Sequence, residues 1–272
     1  MKKLQGRTAV ITGASSGIGR ALALQLAKKG CQLALVDVDK EGLEESERLV
    51  KELVSDALTS LHVMSVADEA AMMALPDAVI EAHDDVHLLI NNAGVAHIGN
   101  FAESDVADFR WVLEVNLMGV LYGVKAFLPH LLARESGHIV NMSSLFGVVG
   151  VPKQSAYCTS KFAVRGFSAV LWEELQGTSV DVTCVHPGGV NTGIVKNARA
   201  EDVEEKKQVA AAFAKYAQSP DKVAAKIVKA IEKNKARLLV APASSTIDRL
   251  MRVFPVWGNR IVGRILGVKL PF

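Results

Sequence analysis

The 272-residue chain predicts an α/β fold: one domain built on a doubly wound parallel sheet of about seven strands with helices on both faces. Three observations predict it. Short apolar, β-branched runs alternate with longer amphipathic stretches along most of the chain. The first run opens into a glycine-rich turn that leads directly into a helical stretch. No internal repeat, low-complexity tract or linker breaks the alternation. Half of the residues are hydrophobic and 22% are charged, the balance of a packed globular domain, and a formal charge of +2 is too small to argue for a nucleic-acid partner.

The elements follow in order. Arg7–Thr12 reads as a buried strand, followed by the turn Gly13 to Gly19 and a helix over Arg20–Lys29 that Gly30 ends. Gln32–Val36 is a second strand, with Asp37 at its end. Glycines in such a turn let a backbone approach a pyrophosphate, and a helix N-terminus adds free N–H groups and partial positive charge. Asp37 is placed to accept hydrogen bonds from a ribose 2′-hydroxyl. Glu41–Ser55 is a charged helix, Leu58–Val63 a third strand, and Glu69–His83 a helix despite Pro76. His87–Ile90 is a fourth strand running into Asn91-Asn92-Ala93-Gly94. Val106–Arg134 reads as one long helix around Asn116, interrupted late by Pro129. His138–Met142 is the fifth strand and delivers Ser143 and Ser144. Ser155–Gln176 is the helix that carries Tyr157 and Lys161. Val180–His186 is the sixth strand, ending at Pro187-Gly188, and Arg237–Val240 the seventh. In such sheets ligands bind beyond the carboxyl ends of the strands, where the glycine turn, Asp37, Asn92, Ser144 and Pro187 all fall.

Tyr157 and Lys161 lie one turn apart on one helix face. The Gly/Pro-interrupted segment after Ser144 can fold back and bring that hydroxyl beside the phenol. A tyrosine ordinarily titrates near ~10, and a neighbouring ammonium favours the phenolate. Lowering the pKa by ~3 units takes roughly 4 kcal/mol, more than one cation supplies, so a second positive charge is expected nearby.

Cys31, Cys158 and Cys184 form no CxxC pair, so neither a disulfide framework nor a metal site is expected, and a reducing cytoplasm is the simplest location. The N-terminal stretch reads as strand and turn rather than a signal peptide, and no uninterrupted apolar run long enough to span a bilayer is found.

The motifs together resemble the classical short-chain dehydrogenase/reductase family over nearly the whole chain. TGxxxGxG appears as Thr12 to Gly19, NNAG as Asn91 to Gly94, the helix asparagine as Asn116, YxxxK as Tyr157 and Lys161 with Ser144, and PG with its downstream threonine as Pro187, Gly188 and Thr192. The resemblance implies a Rossmann-type fold, a nicotinamide cofactor, and hydride transfer between a carbonyl and an alcohol. It implies four catalytic residues: Tyr157 as acid or base, Lys161 tuning it and holding the nicotinamide ribose, Ser144 polarising the substrate oxygen, and Asn116 holding a water that links Lys161 to solvent. The second positive charge would then be the oxidised nicotinamide. The implied cofactor contacts are Gly13, Ser15, Ser16, Gly17, Ile18 and Gly19; Asp37 and Val38; Ser65 and Val66; Asn92, Ala93 and Gly94; Tyr157 and Lys161; and Pro187, Gly188, Val190 and Thr192. Ser65-Val66 departs from the family's Asp-Val at the adenine position.

Asp37 repels a 2′-phosphate, Val38 is neutral, and Ala14-Ser15-Ser16 carries no cation, so NAD is expected in preference to NADP. The alternative is that Asp37 turns away and Lys40 or Arg20 serves a phosphate. Gly193–Ala217 reads as a lid, and Val95, His97, Ile98, Leu145, Phe146, Val151 and Ile194 as a mostly apolar pocket for a lipophilic alcohol or ketone, steroid-, retinoid- or acyl-like. His97, His186 and Cys158 read as structural. Residues 1–245 are the expected catalytic domain and 246–272 a basic, apolar extension. Packing of the extension on its own domain or a sister subunit is favoured over peripheral membrane contact, because Pro255 and Gly258 should break an interfacial helix. By resemblance the chain forms a homodimer or homotetramer. Two rival functions are a 3-oxoacyl carrier-protein reductase, disfavoured by Asp37, and a catalytically silent NAD-binding regulator, disfavoured by the intact Asn116, Ser144, Tyr157 and Lys161.

Overall fold

In the computed structural model, which describes residues 1, 3–241 and 243–265, the strands run in the order β1 (Thr8–Thr12), β2 (Gln32–Asp37), β3 (Thr59–Val63), β4 (Leu88–Asn91), β5 (His97–Ile98), β6 (Gly137–Met142), β7 (Val180–His186), β8 (Arg199–Ala200) and β9 (Arg237–Leu239). The helices are α1 (Gly17–Ala27), α2 (Lys40–Leu53), α3 (Glu69–His83), α4 (Val106–Leu113), α5 (Gly119–Leu132), α6 (Ser155–Glu174), α7 (Val203–Tyr216), α8 (Pro220–Glu232), α9 (Ser244–Val253) and α10 (Trp257–Ile265). Seven strands form one parallel sheet in the order β3-β2-β1-β4-β6-β7-β9. The fold expected from the sequence is therefore present, with strand bounds shifted by a residue or so.

The central strands read as continuous apolar runs because both of their faces are covered. Successive residues of β1 feed opposite layers: Ala9 and Ile11 pack with Leu22, Leu26, Val223 and Ile227 of α1 and α8. Val10 packs on the other side with Met72, Val79, Phe127 and Leu131 of α3 and α5. Asp39, Asp68, Asp105 and Ser219 cap α2, α3, α4 and α8, each accepting from a main-chain N–H of the first turn.

Several features differ from the sequence expectation. The single long helix is split at Glu114–Met118 by a π-turn, which joins α4 to α5 and contains Asn116. The joined helix Val106–Leu132 is long and apolar enough to cross a bilayer by length and composition, where none was expected; here it packs against α3 and α6. Helix α8 lies where no element was read, with Ser219 as cap, Pro220 in the first turn and an inner face of Val223, Ile227 and Ile231. The segment read as a lid, 193–217, holds α7 and β8, and β8 pairs in parallel with β5. In the tail, the chain does break at Pro255, but Gly258 lies inside α10 rather than ending it. Helix α9 starts at Ser244, ahead of the expected boundary, and Ile247 and Val262 pack on Leu145 and Val149. Residues 266–272 of the expected extension lie outside the described residues.

Candidate active site

Strand order reverses between β1 and β4, and the loops leaving their carboxyl ends diverge there to open a crevice. The Thr12 hydroxyl accepts from the Asn92 and Ala93 N–H groups at 3.0 and 3.1 Å. The Asn92 amide donates back to the Thr12 and Gly13 carbonyls at 2.9 and 3.1 Å. Asn92 thus braces the glycine turn. Gly13 has φ +66°, and a Cβ on Gly19 would lie 1.9 Å from the Gly13 carbonyl oxygen, so neither position admits a side chain. The Ser16 side chain makes no capping bond to α1, and the first turn of α1 holds no acid. That end therefore keeps its N–H groups and partial positive charge for an anion.

Asp37 ends β2 and turns toward the glycine turn, accepting from Ser15 N–H at 3.0 Å and Asp39 N–H at 3.1 Å. Of the two cations that could have served a phosphate, Arg20 is held within the protein and Lys40 stays largely exposed. Arg20 donates to the Ser46 hydroxyl at 2.9 Å, to the Gly42 carbonyl at 3.2 Å and to the Ser15 carbonyl. Lys40 lies 3.7 Å from Glu44. Val38 is 66% exposed beside Asp37. The Ser65 hydroxyl accepts from Ala67 N–H at 3.2 Å, and Val66 is buried against Gly119. The Pro187 carbonyl accepts from Leu145 N–H at 2.7 Å, Val190 is buried, and the Thr192 side chain sits over Gly17.

Strand β6 delivers Ser143 and Ser144 to the site. The Ser143 hydroxyl donates to the Lys161 carbonyl at 2.8 Å, which ties the strand end to α6. Lys161 is buried, donates from Nζ to the Met142 carbonyl at 2.9 Å, and sits 5.6 Å from the centroid of the Tyr157 ring. Phe146 packs edge-on against Tyr157 at 6.1 Å between ring centroids. The sequence therefore brings Ser144, Tyr157 and Lys161 together as read. Burial pushes the Tyr157 pKa up to about 12, against the opposing effect of a hydrogen bond with Ser144. Burial also brings Lys161 down to about 8. Burial therefore works against the phenolate, in line with the expectation that one ammonium is too little to tune this phenol.

Asn116 is fully buried, with both amide hydrogens used, on the Val95 carbonyl at 2.9 Å and the Ser160 hydroxyl at 3.1 Å. Its oxygen accepts from Val95 N–H at 2.8 Å and keeps one lone pair. Ser160 is not part of any motif read in the sequence; its place beside Lys161 was the only signal for it. Around the pocket, Ala96, Ile98 and Ala198 are buried with Tyr157, Ile194 and Val195 packed on them. His97 is buried, with Nε2 3.0 Å from Glu201 in the segment after Thr192. Arg199 reinforces it, bonded to Asp108 at 2.6 Å and stacked 3.9 Å from the Trp111 ring. A pocket of about 720 Å³, lined by Asp108 of α4 and by Lys196, Arg199 and Glu201 among others, includes none of the four candidate catalytic residues.

Comparison with known proteins agrees with this architecture. The short chain dehydrogenase family matches residues 7–205. SadH of Mycobacterium tuberculosis, whose name places it provisionally among the oxidoreductases, is 43% identical over 266 residues, 96% of each chain. The 17-beta-hydroxysteroid dehydrogenase 13 of Rattus norvegicus is 32% identical over 274 residues, covering 98% of this chain and 86% of its own. A short chain dehydrogenase/reductase from Burkholderia phymatum, solved in complex with NAD, superposes with a TM-score of 0.87 at 34% identity, over 93% of this chain and 95% of that one. The chain belongs to the short-chain dehydrogenase/reductase family of oxidoreductases.

Proposed function

We propose that this protein is an NAD-dependent dehydrogenase or reductase of a lipophilic secondary alcohol or ketone, with Tyr157 as general acid and base. The observation that carries this reading is the convergence of Ser144, Tyr157 and Lys161 at the carboxyl end of the sheet, beside the glycine turn. The donor set fits a nicotinamide dinucleotide. The uncapped end of α1 suits a pyrophosphate, Asp37 has lone pairs left for ribose hydroxyls, and Lys161 suits the second ribose. Bound there, the cofactor would supply or take the hydride and, when oxidised, provide a positive charge beside the phenol. The remaining steps belong to the chain. Ser144 orients and polarises the substrate oxygen, Tyr157 gives a proton to a ketone or takes one from an alcohol, and Lys161 passes it on, with Asn116 offering its spare lone pair to a water. Tyr157→Phe should lower kcat by roughly a thousandfold while sparing NADH binding; near-normal turnover would sink the mechanism.

NAD is favoured because Asp37 faces the turn while Arg20 is held by Ser46, Gly42 and Ser15. KM for NADPH should exceed that for NADH by at least about tenfold, the effect of roughly 1.4 kcal/mol of repulsion; equal values would contradict this preference. The apolar surroundings of Tyr157, and the hydroxysteroid dehydrogenase among the relatives, support a steroid-like or similarly lipophilic substrate. Three buried, unpaired cysteines support a cytoplasmic placement. Val253, Phe254, Val256 and Trp257 lie exposed between Arg252 and Arg260, which supports burial of this tip by a sister subunit in a homodimer or homotetramer. Gel filtration with and without anionic vesicles distinguishes that from a peripheral membrane contact.

A further inference from the structure

The main-chain carbonyl of Ser144 is gripped from behind by side chains that none of the sequence motifs includes. His186, the last residue of β7, is fully buried with Nδ1 3.1 Å from that carbonyl oxygen. A carbonyl only accepts, so Nδ1 carries the hydrogen. On the opposite side of the ring, Nε2 receives Nε–H of Arg237 at 3.4 Å. A guanidinium only donates, so Nε2 is bare. The two contacts select the same neutral tautomer. Burial, aided by the positive charges of Arg237 and Arg165, brings His186 down to about 4 and keeps it in that form. The Cys184 thiol, 3.4 Å from Nε2, is compatible with it.

Arg237, on β9, is itself fixed by a two-pronged bond to Asp248 of α9, at 2.8 and 2.6 Å. Arg252 flanks the same carboxylate at 3.2 Å. A line of polar groups thus runs from Asp248 in the tail through Arg237 and His186 to Ser144. Arg165, one turn beyond Lys161 on α6, donates to the Gly147 carbonyl at 3.2 Å and steadies the short 3₁₀ turn that follows Ser144. Desolvating these groups is costly, and apolar residues would fill the space more cheaply. What a hydrogen-bonded row adds is a fixed direction.

We propose that Asp248, Arg237 and His186 are positioning residues that fix the Ser144 carbonyl and through it the Ser144 hydroxyl, so that α9 completes the active site. The proposal rests on the reading of Ser144 as the group that polarises the substrate oxygen, and Ser144→Ala separates the two.

The test compares the purified wild-type protein with Ser144→Ala, Arg237→Lys, Asp248→Asn and Asp248→Glu. Each is assayed with NAD and the secondary alcohol that the wild type oxidises fastest. Arg237→Lys and Asp248→Asn should lower kcat roughly tenfold or more, as expected when a catalytic group is displaced, with KM for NAD held within about twofold. Asp248→Glu, which keeps the carboxylate, should recover part of the rate. A full rate in Ser144→Ala overturns the reading of Ser144. A slow Ser144→Ala beside fast Arg237→Lys and Asp248→Asn overturns the positioning chain alone. So does a loss of kcat that merely tracks lower Tm. Imidazole nitrogen NMR of the unliganded wild type gives a readout that needs no turnover: His186 should be neutral with its hydrogen on Nδ1, and an Nε2–H tautomer overturns the proposal.

Discussion

Tyr157 and Lys161 are shifted in opposite directions by one cause. Burial favours the neutral form of each, raising the phenol to about 12 and lowering the amine to about 8. For Lys161, the folded state holds fewer protons than the unfolded one between about 8 and 10.5, so stability rises with pH across that window and the cost of the buried ammonium is complete below it. For Tyr157 the sign is reversed, and stability is lost as pH rises from 10 to about 12. Removing the ammonium should therefore relieve the fold while disabling the site. Lys161→Met should leave Tm at neutral pH unchanged or higher, since roughly 3 kcal/mol of desolvation is set against about 1 kcal/mol for the lost bond to Met142; a clear fall in Tm would contradict it. The same starting point sharpens the expectation for the phenol. Titrating Tyr157 with and without NAD⁺ should show its pKa falling by several units on binding, and an unchanged value would remove the electrostatic account.

At the scale of elements, the structure separates capping acids from site acids. Asp68 caps α3 by accepting from Ala71 N–H at 3.0 Å, so Asp68→Ala should cost about 1 kcal/mol in urea unfolding and leave KM for NADH untouched. Asp37→Ala, which removes the acceptor of Ser15 and Asp39 N–H, should cost a similar amount of stability and in addition narrow the gap between NADH and NADPH. The strands were legible because a run such as Leu33 to Val36, buried on both sides, is apolar at every position. Helix α8 carries legible signals as well, in Ser219-Pro220 at its start and in its amphipathic spacing. The β5–β8 pair was not legible, because two-residue strands have no period and their pairing is fixed by the lid anchors His97 and Arg199. The candidate catalytic cluster was readable because Tyr157 and Lys161 share a helix face. The row from Asp248 to His186 was hidden because its members meet only across β7, β9 and α9.

For the whole molecule, the buried imidazoles set the acid limit. His138 and His186 are both fully buried, and burial lowers them to about 3 and about 4. Between those values and 6.5 the unfolded chain binds protons that the folded one refuses, so stability is lost as pH falls through that window. Urea midpoints should drop from pH 7 to pH 5, with His186 alone worth up to about 3 kcal/mol once fully titrated; equal midpoints would contradict the burial of these rings. The π-turn at Glu114–Met118 has a different kind of consequence. Upstream of it, α4 presents Asp108 and Trp111 to Arg199 of the lid segment; downstream, α5 presents Phe127 and Leu131 to the sheet. A π-turn amounts to one residue more than an α-helix needs, and one residue is worth about 100° of rotation. The turn thus sets the phase between the two halves of the helix. Deleting a single residue there would leave a regular helix, yet it would swing either the Asp108 clamp off the lid or Phe127 out of the core.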